Sequence, residues 1–388
     1  LKNAIHLDVA HLYRSFPEYN MSQVRRLYME TGDWLLETYR INPGSIYTFW
    51  TKLTKANLDD YRSPFLASVT DLQRWASLGM NLFTIPFDDA DAISPNTTAD
   101  FVELLHKMDA NTTSNATQKL VPLASFYGFD EFSGPFNETA SAFLRLRRRF
   151  PGIRTMTTAH IGMQYGSLTP HPLPFEPSTL QALGVTTIIP QTNYLPPRAN
   201  ITACQNAGLE VFTYVSMQPY KPLACFRLDN PAIDVRGLFW QIYTEQFDGL
   251  LYWGVNEWSL SKFLPIPPMR AVPDPVFTSL PFIDVDAWNV ASYDDGTLPW
   301  LFGDGKMLYT GEPAPKDGST RPVGSLRLAL IRDGLDDFDY LTQLRHSKPA
   351  LAAELAAQVS GGDIHSLVRN ITVLQATRLA VGAAIEDG

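Results

Sequence analysis

Short apolar runs and longer amphipathic stretches alternate along most of the chain. Eight runs have strand character, at residues 5–9, 45–49, 81–86, 122–129, 154–159, 185–190, 210–215 and 249–254. A strand buried on both faces reads as a nearly continuous apolar run, as in a parallel sheet covered by helices. Between most of them apolar positions recur at helical spacing, over 67–78, 99–109, 139–149, 177–183, 199–207 and 234–247. Gly79, Pro151-Gly152, Gly184 and Gly208 follow closely on four of these stretches, where a left-handed residue closes a helix. Strands alternating with helices predict a parallel α/β sheet, and eight repeats predict its closure into a (β/α)8 TIM barrel. A doubly wound open sheet is the alternative, but no Gly-x-Gly-x-x-Gly turn follows any of the runs.

Beyond residue 258 the pattern changes. Residues 264–322 are rich in Pro, Gly and aromatics and predict an irregular excursion with short hairpins ahead of the last barrel helix. Residues 325–344 return to strong helical periodicity, with a break expected at Gly334, and 349–386 are Ala- and Leu-rich and predict outer helices. The expected organisation is a barrel over 1–345, including the excursion, and a helical extension over 346–388 packed on it.

The strongest chemical signal is Asp130-Glu131, which ends the apolar run 120–129. In an α/β barrel the C-terminal ends of the strands face the active site. Two neighbouring acids repel, so one tends to stay ionised while the other holds a proton. Such a division yields an anionic stabiliser and a proton donor. The plainer reading is that Asp130 caps the next helix and Glu131 is solvated.

Composition narrows the classes. At 388 residues, 45% hydrophobic, the chain suffices for one large domain or two ordinary ones. A net charge of −9 gives no electrostatic case for nucleic acid. No apolar stretch reaches the roughly 20 residues that span a bilayer. Eight Trp and 16 Tyr suit either a sugar site or an aromatic core. Cys204 and Cys225 are compatible with a disulfide or with two buried thiols, and no His/Cys cluster has metal-ligand spacing. The chain opens on Leu1 without a leader, the start expected of a mature or trimmed product. Asn-x-Ser/Thr sequons at Asn20, Asn96, Asn111, Asn115, Asn137, Asn200 and Asn370 point to a secreted, lysosomal or lumenal protein carrying N-glycans.

Four segments in order, Tyr127-Gly-Phe-Asp-Glu, Tyr252-Trp-Gly-Val-Asn-Glu-Trp258, Gly303-Asp-Gly and the run 327–341 (RLALIRDGLDDFDYL), resemble the catalytic domain of glycoside hydrolase family 123. The resemblance covers the chain from the first strand to about residue 345. The family's usual β-sandwich ahead of the barrel is not encoded in these residues, and Phe132 stands where the family commonly has Pro after the acid pair. The resemblance implies a retaining β-N-acetylgalactosaminidase assisted by the 2-acetamido group of its own substrate, with no cofactor. It makes Glu131 the acid and base and Asp130 the holder of the acetamido N–H. By their places at strand ends, Trp253 and Trp258 are candidates to wall the sugar, Asn256 to bind its hydroxyls and Tyr194 to donate to the acetamide carbonyl. Gln191, His160 after the fifth strand and Asp8 near the end of the first are further substrate-contact candidates, with Tyr214 and Gln218 after the seventh more ambiguous. For each of these, core packing or loop satisfaction is the competing reading. The acidic run 333–339 reads as a solvated or Arg-pairing helix face. A β-N-acetylglucosaminidase, a hydrolase of non-acetamido sugars and a non-enzymatic sugar-binding barrel remain as alternatives; the partner in each is a carbohydrate.

Overall fold

The structure, a computed structural model, describes residues 1–7, 21–44, 69–86, 95–111, 118–131, 136–158, 174–216, 218–256, 303–309 and 322–387. Eight parallel strands occur in chain order: β1 Lys2–His6, β2 Pro43–Gly44, β3 Phe83–Pro86, β4 Ala124–Tyr127, β5 Arg154–Thr158, β6 Thr187–Ile189, β7 Glu210–Val215 and β8 Gly249–Tyr252. They pair in the order β2-β1-β8-β7-β6-β5-β4-β3, with β1 closing on β8, and β2 lies against β3 to bring the ring near closure. The intervening helices are α1 Met21–Tyr39, α2 Val69–Ser77, α3 Pro95–Asn111, α4 Phe136–Arg149, α5 Pro177–Ala182, α6 Arg198–Asn206 and α7 Ala232–Thr244. This is the (β/α)8 barrel that the periodicity predicts. Gly79, Gly152, Gly184 and Gly208, placed by sequence just beyond helices, all take positive φ, the conformation that a missing Cβ permits.

Two apolar layers result from the strand pleat. Ala4, Leu82, Tyr127, Met156, Ile189, Phe212, Tyr214 and Leu251 form the buried filling of the barrel, while the larger core lies between sheet and helices. At the N-terminal end of the strands Glu210 accepts from Lys2, Arg154 and Thr187, so ion pairs line that end. The opposite end carries the loops that follow Tyr127, Thr158, Ile189, Val215 and Tyr252.

Some expectations need correction. The run 120–129 is only partly strand: residues Val121–Leu123 form a 3-10 turn, with Pro122 at its start, before β4. Helix α1 was not marked in the pattern. The helix α8, Leu326–Ser347, continues through Gly334 without a break. A Cβ at Gly334 would lie 2.2 Å from the Phe239 ring on α7, so the glycine allows close helix packing instead of ending the helix. A short antiparallel pair, β9 Leu308–Tyr309 with β10 Val323–Gly324, precedes α8; the rest of 264–322 lies outside the described residues. Helices α9 Pro349–Ser360 and α10 Ile371–Glu386 then pack on α7 and α8 through Trp240, Leu341, Leu355, Val359 and Leu374. The acidic run of α8 pairs with arginines: Asp337 with Arg236 and Arg378, Asp336 and Asp339 with Arg40. Cys204 and Cys225 are buried free thiols. No helix among the described residues is long and apolar enough to cross a membrane.

Candidate active site at the mouth of the barrel

Strand β4 ends at Tyr127, and the chain turns at Phe129 and Glu131 with φ of +55° and +47°. Left-handed backbone at non-glycine residues costs about 1–2 kcal/mol each, so surrounding contacts must hold the turn. They come from β5. Thr157 Oγ1 donates to the Phe129 carbonyl at 2.9 Å, and the Glu131 N–H donates to Thr158 Oγ1 at 2.8 Å. Thr158 Oγ1 donates in turn to Asp130 Oδ1 at 2.7 Å, the oxygen that also accepts the Tyr127 hydroxyl. Two donors therefore converge on one carboxylate oxygen, and both hydroxyls are buried while Asp130 and Glu131 are exposed at the mouth. Asp130 is thus wired into the ends of two strands.

Glu131 faces the other way. Its Oε1 accepts the hydroxyl of Tyr214, from β7, at 2.6 Å, across the mouth from β4. Removing that hydroxyl in Tyr214→Phe is expected to lower kcat about 10-fold, since hydrogen bonds to charged groups are worth roughly 1.5–3 kcal/mol. Unchanged kcat beside an unchanged melting temperature would show that the contact does not serve Glu131.

The other strand ends contribute polar and aromatic groups. After β6, Tyr194 N–H closes a turn on the Gln191 carbonyl at 2.9 Å, leaving Tyr194 half-buried. Gln191 is buried and donates to Ser216 Oγ at 3.1 Å; Asn193 donates to Gln218 Oε1 at 3.0 Å. These amides hold the loops after β6 and β7 together. After β8, half-buried Trp253 donates its indole N–H to Asp304 Oδ2 at 2.9 Å. Asn256 is fully buried and bridges to Lys306. Asp8, His160, Glu257 and Trp258 lie outside the described residues.

Asp130, Glu131, Tyr194, Tyr214 and Trp253 thus gather at the C-terminal ends of β4, β6, β7 and β8. The partners Tyr127, Thr158 and Asp304 were not singled out from sequence. Asp304 sits in a quoted motif, Gly303-Asp-Gly, and the threonine run 157–158 ends a predicted strand, but neither pattern reveals a partner far along the chain. A separate cleft of about 410 Å3, bounded by Arg236, Asp333, Asp336, Gln375, Arg378 and Leu379, lies on the outer helices. Both of its arginines are already paired with Asp337. Among the described residues no group of His, Cys, Asp and Glu is arranged to hold a metal ion.

Residues 178–344 match the family model of glycoside hydrolase 123, catalytic domain. The matched span takes in Gln191, Tyr194, Tyr214, Trp253, Asn256, Asp304 and most of α8, and begins after the acid pair. Among solved structures, a family 123 glycoside hydrolase from Clostridium perfringens, studied for the details of glycolipid glycan hydrolysis, aligns with 100% of this chain and 69% of its own. The TM-score is 0.52 at 10% identity, a likeness of fold. A glycosylated endo-β-1,4-xylanase of family 10 from Gloeophyllum trabeum aligns with 68% of this chain and 88% of its own, at 12% identity and a TM-score of 0.35, too low to support an argument. No curated protein matches.

Proposed function

We propose that this chain, whose residues 178–344 match the catalytic domain of glycoside hydrolase 123, is a glycoside hydrolase of that family and a retaining exo-enzyme that removes a β-linked N-acetylhexosamine from glycans or glycolipids. N-acetylgalactosamine is the sugar that family analogy favours. The observation that carries the mechanism is the arrangement of the acids. An ordinary retaining glycosidase places two carboxyl groups about 5–5.5 Å apart, one as acid and one as nucleophile, flanking the scissile bond. Asp130 and Glu131 instead share one turn, with Asp130 held back on β4 and β5 and Glu131 extended toward β7. In this reading the nucleophile belongs to the substrate.

The acetamido carbonyl oxygen attacks the anomeric carbon as the glycosidic bond breaks, and Glu131 gives its proton to the departing oxygen. Tyr214 occupies Oε1 of Glu131, which leaves Oε2 to carry that proton. The cyclised oxazolinium ion carries positive charge shared with the acetamido nitrogen. Asp130, already accepting two hydroxyls on Oδ1, offers Oδ2 to that N–H and stabilises the charge. Glu131, now ionised, takes a proton from water, which opens the ring with net retention and restores the acid. Neither step calls for a metal or cofactor. Trp253 and Tyr194 border the site as the sugar-stacking and acetamide-binding groups.

Nitrophenyl β-glycosides of N-acetylgalactosamine, N-acetylglucosamine, galactose and glucose test the reading. Turnover confined to the acetamido sugars is the expected result; turnover of galactose or glucose alone would sink it.

The sequons support a secretory or lysosomal location. Asn370 is exposed, and its Oδ1 caps α10 through the N–H groups of Thr372 and Val373, leaving the amide nitrogen for a glycan. Asn200 instead donates its amide to the Phe175 carbonyl at 2.8 Å. Material made in a eukaryotic secretory pathway is expected to lose mass on treatment with a glycan-removing enzyme; no mass change would count against that location.

A further inference from the structure

Asp304 lies in the 303–309 segment and is only 6% exposed. Its carboxylate is shared between two consecutive aromatic residues at the end of β8. Trp253 Nε1–H donates to Oδ2 and the Tyr252 hydroxyl donates to Oδ1, each at 2.9 Å. The Tyr252 oxygen accepts the Gly305 N–H at 2.7 Å. The segment itself is anchored independently, because Arg327 on α8 donates to the carbonyls of Gly303 and Lys306, and the Met307 and Leu308 N–H groups reach the Val255 carbonyl. The acid is therefore not needed to hold the segment in place, while the indole has a fixed anchor.

We propose that Asp304 is a positioning residue for hydrolysis, its carboxylate fixing the Trp253 indole at the barrel mouth where the ring walls the sugar. The proposal rests on reading Trp253 as part of the sugar site. An indole N–H is a donor only, so Oδ2 must accept. The polarity on the other side runs in one direction, from Gly305 N–H to the Tyr252 oxygen and from the Tyr252 hydroxyl to Oδ1. A proton added on Oδ2 would face the indole N–H. A proton added on Oδ1 would face the Tyr252 hydroxyl and turn it away. Only the ionised acid accepts both donors at once; a proton on either oxygen costs one of the two contacts. Burial raises the Asp304 carboxyl to about 6, against the opposing hydrogen bonds of Tyr252 and Trp253 and the charges of Arg327 and Arg227. Burial also pushes up the Cys225 thiol and the Tyr252 phenol nearby, so both stay neutral over the working range. Above this pH the carboxylate accepts both donors, and below it the charge that strengthens the indole contact is lost.

The test uses the whole chain with 15N-labelled tryptophan. The Trp253 indole signal, identified by its loss in Trp253→Phe, is expected to shift with a midpoint near pH 6. In Asp304→Asn, whose amide oxygen still accepts from the indole, the signal should remain and stop titrating, with kcat/KM within about 10-fold of wild type. Asp304→Leu should raise KM about 10–100-fold, and should add little once Trp253 is already Phe, because the two changes break one contact. A titration that persists in Asp304→Asn, or an equal loss from Asp304→Leu in both backgrounds, would overturn the proposal. The indole titration requires no substrate, so an inactive wild type would refute the hydrolase mechanism without touching it.

Discussion

Glu131→Gln is expected to slow turnover of substrates with poor leaving groups by roughly 10²–10⁴-fold, the usual contribution of a positioned general acid. The amide still accepts the Tyr214 hydroxyl, so the turn and the fold should survive. Nitrophenyl leaving groups need little protonation and should suffer less in the first step, so the deficit should grow as the leaving group becomes more basic. Asp130→Asn should also be slow, for a different reason. An amide oxygen can still take the Tyr127 or Thr158 hydroxyl, but it carries no charge to oppose the oxazolinium ion. Its deficit should be similar for good and poor leaving groups. Added azide should rescue neither variant, because no protein nucleophile has been removed. A stable thiazoline copy of the cyclised sugar should inhibit the wild-type chain strongly. Steady-state kinetics over a series of aglycones check all of these, and equal sensitivity of the two variants to the leaving group would remove the division of labour between the acids.

Asp337→Ala is expected to have the largest effect on stability, about 2–4 kcal/mol, from removing one partner of a buried ionic network. The Asp337 side chain is fully buried on α8. It accepts from Arg236 at 2.6 and 2.8 Å, from the Trp240 indole at 2.9 Å and from Arg378 at 3.0 Å. Alanine would leave two guanidinium groups facing each other and a buried indole N–H without an acceptor. Arg378 is 37% exposed and can regain water, which limits its share of the loss. Because the network ties α7, α8 and α10 on the outside of the barrel, activity per folded molecule should not change. Urea unfolding should show a lower midpoint at similar slope. A midpoint equal to wild type would mean that the network contributes little beyond packing.

The sequence revealed most of the barrel because its strands are apolar on both faces and its helix ends carry glycines. β7 matches its predicted residues fully, and the four capping glycines adopt the backbone expected of them. Helix α1 was harder to see because it has no acidic first turn and no basic last turn, and charged residues interrupt its apolar positions. Gly334 misled for the opposite reason: a residue that weakens helices locally was retained for contact with Phe239, a partner visible only in three dimensions. The same division holds at the site. Adjacent acids at a strand end can be read along the chain. The hydroxyls that orient them cannot, since Thr158 lies on the next strand and Tyr214 two strands beyond that. Asp304 was legible as a motif residue, but its bonds to Tyr252 and Trp253 span a long segment whose path the sequence does not specify.

The central claim is that the substrate's acetamido oxygen is the nucleophile. It is tested most directly by measuring kcat/KM on nitrophenyl N-acetyl-β-galactosaminides whose acetyl methyl carries zero, one, two or three fluorines. Fluorine withdraws electrons from the carbonyl oxygen while leaving the sugar and leaving group unchanged. Rates that fall steeply with each added fluorine are predicted. Rates that stay nearly level across the series would contradict the claim and require a carboxylate nucleophile from the protein.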